Sequence, residues 1–179
     1  MRSFRTEGIV IRRSNYSEAD RIVTIFTRKL GKIKVKATGV RKIASRRSPH
    51  IELFNYCVFE LYQGKGMIIL TEVESKESFP LLKTDLKRIG FAYHLCELID
   101  GLCPENQEHE DIFMLLGRTL RKVSKEDNLD LIIHEFELEL LKLLGFYKFE
   151  SSKTKINTQN LIEQILERKL KTRQILPRL

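Results

Sequence analysis

Two groups of cations dominate the chemistry open to this sequence of 179 residues. Lys32, Lys34 and Lys36 recur at a spacing of two, and Arg41, Lys42, Arg46 and Arg47 crowd into seven residues with no acid among them. A spacing of two puts side chains on one face of a β-strand, roughly 6.5–7 Å apart, close to the phosphate repeat of an extended nucleic-acid strand. One-sided burial of Ile33, Val35 and Ala37 would also push the three lysines outward, so the strand alone does not demand a ligand. The following segment does more. Like charges this dense repel one another and gain little from surface pairing. A polyanion relieves that repulsion and releases counterions as its phosphates are neutralised. These seven cations are the candidate nucleic-acid-binding residues, and phosphate contacts would make recognition largely independent of base sequence. Tyr16, Phe54, Tyr56, Phe59 and Tyr62 could add base stacking, worth about 1–3 kcal/mol per base. Strand parity sends Phe54, Tyr56 and Tyr62 one way and Phe59 the other, with Leu53, Cys57 and Leu61, so at least one set must face inward.

Other chemistries lack their residues. His50, His94, His109 and His134 are scattered, and His134-Glu135 would need a histidine at position 138, where leucine stands. Gly64-Lys65-Gly66 has neither the spacing nor the hydroxyl of a phosphate-binding loop and reads as a hairpin. No serine or cysteine occupies a nucleophile elbow. The acids from Glu105 to Asp111 follow one another and read as a solvated loop. The expectation is a protein with no catalytic residues, no metal and no cofactor, and so not an enzyme. Cys57, Cys96 and Cys103 form no CxxC pair and are odd in number, which fits a reducing cytoplasm. No apolar run approaches the roughly 20 residues of a membrane helix, and the first residues show no apolar signal core.

Apolar residues are 42% and charged residues 31% of the chain, a globular balance. The net charge of +8 is unevenly spread: residues 1–50 hold 14 Lys/Arg against 3 Asp/Glu, whereas residues 81–150 hold 9 against 14. A basic working surface on a more neutral scaffold follows. Strands are predicted at about Thr6–Arg13, Arg21–Thr27, Ile33–Ala37, Glu52–Tyr62 and Met67–Ser75, with a long basic loop over 38–50. Five short antiparallel strands in about 75 residues suggest a small barrel, of which a five-stranded OB-fold is the simplest. At Ser78-Phe79-Pro80 the period changes from 2 to 3.6. Helices are predicted from Pro80, with Leu82, Leu86, Ile89, Tyr93 and Cys96 on one face; over about Glu110–Val123; over about Leu129–Leu144, ended by Gly145; and over about Thr158–Thr172 after a polar loop at 150–157. The fold class is therefore α+β, an N-terminal OB-fold barrel (1–78) followed by a helical domain (79–179).

The run Thr6-Glu7-Gly8-Ile9-Val10-Ile11-Arg12-Arg13, then Tyr16-Ser17-Glu18-Ala19-Asp20-Arg21-Ile22-Val23-Thr24-Ile25-Phe26-Thr27, resembles the bacterial RecO family of DNA repair proteins. The likeness continues through Leu30-Gly31-Lys32 and Ala37-Thr38-Gly39-Val40-Arg41-Lys42, and resumes at Glu77-Ser78-Phe79-Pro80, at Leu143-Leu144-Gly145-Phe146 and at Leu166–Arg173. The resemblance implies an OB-fold followed by helices. It implies DNA repair and homologous recombination in response to DNA damage: binding of single- and double-stranded DNA, annealing of complementary strands and, with RecR, help for RecA in replacing single-strand-binding protein. It implies a nucleoid-associated cytoplasmic protein, no membrane partner, no nucleotide, and DNA contacts from the basic residues of the third strand and the loop after it. One departure stands out. Many members carry a four-cysteine zinc motif soon after the Leu-Gly-Tyr/Phe position, and Tyr147-Lys148-Phe149-Glu150-Ser151-Ser152 holds no cysteine. A shortened form without the zinc module is expected.

Barrel and charge alone would also suit an RNA-binding OB protein. A protein adaptor that does not bind DNA, working through its helical part, is the third reading.

Overall fold

The computed structural model describes residues 2–147 and 157–176. Five strands come first: β1 (Arg2–Tyr16), β2 (Asp20–Thr27), β3 (Gly31–Ala37), β4 (Tyr56–Gln63) and β5 (Ile68–Glu77). They close a barrel in the order β1-β2-β3-β5-β4. Closure depends on the length of β1. Its first half pairs antiparallel with β4, from Arg2↔Gln63 to Ile9↔Tyr56, and its second half with β2, from Gly8↔Thr27 to Tyr16↔Asp20. A bulge between Val10 and Arg12 marks the handover, where an extra residue sharpens the bend. The last seam is the short parallel pairing of β3 with β5, Val35↔Ile68 and Lys36↔Ile69.

The alternation read from the sequence is the barrel's inside and outside. Val23, Ile25, Ile33, Val35, Phe59 and Leu61 are buried in its interior cluster. Of the two parities in β4, the one with Cys57, Phe59 and Leu61 faces inward, while Tyr56 and Tyr62 stay half-buried. Phe54 does not belong to the strand. It has left-handed backbone (φ 72°), and β4 starts at Tyr56 rather than near Glu52. The 38–55 connection contributes to the core as well: Val40 and Ile51 are fully buried within it.

The outward face of β1 and β2 carries Ile9, Ile11 and Phe26, which join the core of the helical part rather than meet water. Phe113 packs on Phe26 (centroids 6.5 Å) and edge-on to Tyr56 (5.8 Å), and Phe54 meets Tyr93 edge-on (5.2 Å). The helices are α1 (Pro80–Lys83), α2 (Leu86–Leu102), α3 (Glu110–Lys125), α4 (Leu129–Leu143), α5 (Thr158–Leu166) and α6 (Lys171–Ile175). The predicted helices at 110 and 129 are α3 and α4, with Ile112, Phe113, Leu116, Leu120 and Val123 buried on α3. Gly145, at φ 78°, follows the end of α4, and Gly145 N and Phe146 N donate to Lys142 O (3.0 Å) and Leu141 O (2.9 Å). This is a glycine C-cap of the Schellman type.

Two helical expectations are corrected. The helix from Pro80 is two helices, because the Asp85 side chain accepts from Lys87 N and Arg88 N and starts a new one. Of the apolar face read there, Leu82 and Cys96 are buried but Leu86 and Tyr93 are exposed, while Phe91, Leu95, Leu98 and Ile99 fill the core. The last helix breaks at Glu167 (φ 52°) into α5 and α6. The start of α6 after the break is held by a residue 74 positions before Lys171. Glu97 accepts from Lys171 N (3.0 Å), Thr172 N (2.9 Å) and Thr172 Oγ1 (2.7 Å), capping α6 from across the bundle. The predicted polar loop at 150–157 lies outside the described residues except for Asn157, which caps α5 through Asn160 N.

Candidate nucleic-acid interface

The lysine stripe of β3 has the predicted parity but not the predicted freedom. Lys32, Lys34 and Lys36 alternate with the buried Ile33, Val35 and Ala37. The C-terminal end of α2 and the segment after it lie along that face, and each lysine meets a carboxylate. Lys32 is buried: its Nζ donates to the Asp100 carbonyl and lies 3.2 Å from Asp100 Oδ1. Lys34 pairs with Glu105 at 2.5 Å and Lys36 with Asp20 at 3.1 Å. The expected exposure of Lys32 is thus overturned, because the helical part uses the lower end of β3 as a docking surface. Backbone confirms the docking: Asn106 N donates to Lys32 O (2.9 Å). Gly31 permits it. At φ +65°, a Cβ there would sit 1.8 Å from the Gln107 carbonyl oxygen.

The three pairs differ in strength. Lys34 and Glu105 are each about half-exposed, and exposed pairs contribute about 0–1 kcal/mol. Phosphate can compete for such a lysine. Lys32, enclosed and hydrogen-bonded, is part of the fold.

The β3–β4 connection rises above this face and is built from its stem outward. Gly39 N donates to Asp20 Oδ1 (2.8 Å), and Arg41 N to Ala19 O (3.0 Å), tying the loop to the β1–β2 turn. The Gly39 amide, then Lys36, hold the Asp20 carboxyl below its ordinary pKa, with a smaller contribution from Lys42. Arg47 fixes the far side. Its guanidinium donates to Thr38 O (2.7 Å), Leu70 O (2.9 Å) and Thr71 O (3.4 Å). His50 Nδ1 accepts from Ser75 N (3.2 Å). Between these anchors stand Arg41, Lys42 and Arg46, all exposed. The Arg41 side chain donates to the Ser17 carbonyl (3.1 Å), and the side chains of Lys42 and Arg46 make no hydrogen bond or ion pair among the described residues.

The seven candidates therefore fall into three sets. Arg41, Lys42 and Arg46 are displayed together. Lys34 has a half-exposed partner, and Lys36 is paired with the largely buried Asp20. Lys32 and Arg47 hold the scaffold. The strand pattern did not single out Asp20, whose carboxylate pairs with Lys36 (3.1 Å) and accepts from Gly39 N at the foot of the loop. Of the aromatic candidates, Tyr16 is half-exposed, with Lys36 Nζ 5.2 Å from its ring centroid. Phe54 and Phe59 are buried. The three cysteines are buried free thiols. Burial pushes Cys57 up to about 11 and Cys103 up to about 12, so neither is a nucleophile. Among the described residues no group of three or more His, Cys, Asp or Glu is placed to hold a metal ion, and no helix is long and apolar enough to cross a membrane.

A closed barrel with this pairing, a cationic connection between its third and fourth strands and a helical part docked on its side defines an OB-fold protein with an exposed basic loop. The chain belongs to the RecO family. Residues 1–79 match the family model described as Recombination protein O N terminal, and residues 83–148 the one described as Recombination protein O C terminal. It is 44% identical over 145 residues to a DNA repair protein RecO of Roseiflexus sp. (strain RS-1), covering 81% of this chain and 51% of that protein. It is 38% identical over 142 residues to the DNA repair protein RecO of Alkaliphilus metalliredigens, covering 79% and 58%. With the corresponding protein of Symbiobacterium thermophilum it shares 37% over 147 residues, covering 82% and 58%. The chain spans between about half and three-fifths of the length of these relatives.

Proposed function

We propose that this chain is a non-enzymatic DNA repair and recombination mediator that binds single- and double-stranded DNA through the β3–β4 loop and anneals complementary strands. Residues 1–78 are the DNA-binding unit and residues 79–179 the helical unit that braces it. With RecR it assists RecA loading on DNA covered by single-strand-binding protein, and it works in the cytoplasm at the nucleoid. Arg41, Lys42 and Arg46 make the main phosphate contacts. Lys34 joins them by exchanging Glu105 for phosphate, Lys36 adds its charge beside them while staying on Asp20, and Lys32 and Arg47 act through the fold.

The observation that carries this reading is the set of three exposed loop cations whose side chains form no ion pair among the described residues, held on a stem fixed at both ends. Annealing follows from the same chemistry: neutralising two phosphate chains lowers the repulsion between them, and contacts that ignore base sequence leave the bases free to pair. The test is a strand-annealing assay with complementary oligonucleotides, bare and coated with single-strand-binding protein. The wild-type chain should accelerate annealing, and Arg41→Ala/Lys42→Ala/Arg46→Ala should lose most of that acceleration. No acceleration by the wild type contradicts the annealing assignment. Preferential binding of RNA in competition with DNA of the same sequence assigns the loop to RNA instead.

A further inference from the structure

At the tip of the cationic loop, between Lys42 and Ala44, stands Ile43. Its relative exposure is 107%, against 64% for Leu86, the next highest among the exposed large apolar side chains. Single surface apolar residues are ordinary; this one differs in its position and its support. Two consecutive turns present it, closed by Lys42 N to Gly39 O (3.2 Å) and Ser45 N to Lys42 O (2.9 Å). Arg47 and the Asp20–Gly39 bond fix the stem on either side. The same loop buries Val40 and Ile51 completely, so it has access to the core and still holds Ile43 out of it. Arg41, Lys42 and Arg46 would bring a sugar-phosphate chain against this tip, and what lies beside phosphates on a nucleic acid is the edge and face of the bases.

We propose that Ile43 is an apolar wedge that enters between neighbouring bases while the flanking cations hold the phosphates. A β-branched side chain is stiff about χ1, which suits insertion, and apolar wedges between base steps are a recurrent device for unstacking them. The loop's ligand is then a strand whose bases part readily: single-stranded DNA, or a duplex at an end or a mismatch, in preference to a continuous stacked duplex. This rests on the loop being the DNA contact proposed above. It adds a base-level contact with no sequence preference, which separates bases before they find complementary partners.

The test uses the full chain and a single-stranded oligonucleotide containing 2-aminopurine, whose fluorescence rises when it is unstacked. Wild type should raise the fluorescence on binding. Ile43→Asn should bind about tenfold more weakly, the lower end for returning one isoleucine-sized contact to water, with little fluorescence change and an unaltered salt dependence, since no charge is removed. Ile43→Leu should restore both signals. Because Ile43 is fully exposed, these variants do not disturb the core. Equal affinity and fluorescence for Ile43→Asn and wild type overturns the wedge and leaves the phosphate contacts standing. Binding of wild type to phosphatidylserine vesicles that Ile43→Asn abolishes, with oligonucleotide binding unchanged, also overturns it and makes the tip a membrane probe. If wild type shows no salt-dependent oligonucleotide binding at all, the DNA assignment of the loop fails first.

Discussion

Lys32 and Lys42 are both cations of the same basic stretch, and burial gives them opposite roles. The Lys32 amine lies inside a contact between β3 and α2, bonded to the carbonyl and carboxylate of Asp100. Removing it leaves those acceptors without their donor in a partly dehydrated site, a loss of about 1–3 kcal/mol. Lys32→Ala should therefore lower the urea midpoint and leave the salt dependence of oligonucleotide binding as it was. A flattened salt dependence with unchanged stability would place Lys32 in the interface instead. Lys42 should behave the other way, with stability unchanged and binding weakened. The sequence displays both lysines equally. Their difference depends on Asp100, 68 positions from Lys32, and periodicity carries no information about such a partner.

Among the elements, the strands were legible and the helix faces only partly so. β3 has one face in the barrel and alternates lysine with apolar residues, while β2 is buried on both faces from Val23 to Thr27 and is still read as a strand from its β-branched run. α2 is apolar over most of its circumference, so the periodic set Leu82, Leu86, Ile89, Tyr93 and Cys96 was one of several that fit: Leu82 and Cys96 are buried and Ile89 packs against the core, but Leu86 and Tyr93 are exposed and Phe91, Leu95, Leu98 and Ile99 fill the core beside them. The docking of the 105–107 segment on β3 was hidden because it requires a glycine at a positive φ, and Leu30-Gly31-Lys32 reads simply as a turn. Gly31→Ala would force a Cβ into Gln107 and strain the backbone, destabilising by at least about 2 kcal/mol; thermal denaturation measures this. The α5–α6 segment is bound by carboxylates. Burial works against ionisation of Glu137, but hydrogen bonds from His94 (2.8 Å), Thr158 and Arg173 (2.9 Å) outweigh it and hold its pKa at about 2. Burial likewise opposes ionisation of Glu97, and bonds from Arg168, Thr172 and the α6 backbone bring it to about 2. Both values are depressed, so their stabilisation is complete above the ordinary carboxyl range near 4.5 and fades as pH falls towards 2. Amides of 158–166 and 171–175 should lose hydrogen-exchange protection over that interval ahead of the barrel strands. Protection that persists unchanged to pH 2 would contradict this account of the clasp.

At the scale of the molecule, the barrel and the helices share one continuous core through Ile9, Ile11 and Phe26, and the helical part covers the lower half of the face that the lysines of β3 line. What remains is the other end: Tyr16, Lys36 and the loop bearing Arg41, Lys42 and Arg46. The charge excess of the first fifty residues located this region in the sequence. Which of its cations are free could not be read there, because acids from the helical part neutralise some of them in three dimensions only. The account stands on the three loop cations as phosphate contacts, and the salt dependence of single-strand binding tests it most directly. Each phosphate contact contributes about 0.7 to the negative slope of log affinity against log salt on single strands. The account predicts that Arg41→Ala/Lys42→Ala/Arg46→Ala flattens the wild-type slope by about 2 and weakens binding across unrelated sequences. A slope identical to that of the wild type would contradict it.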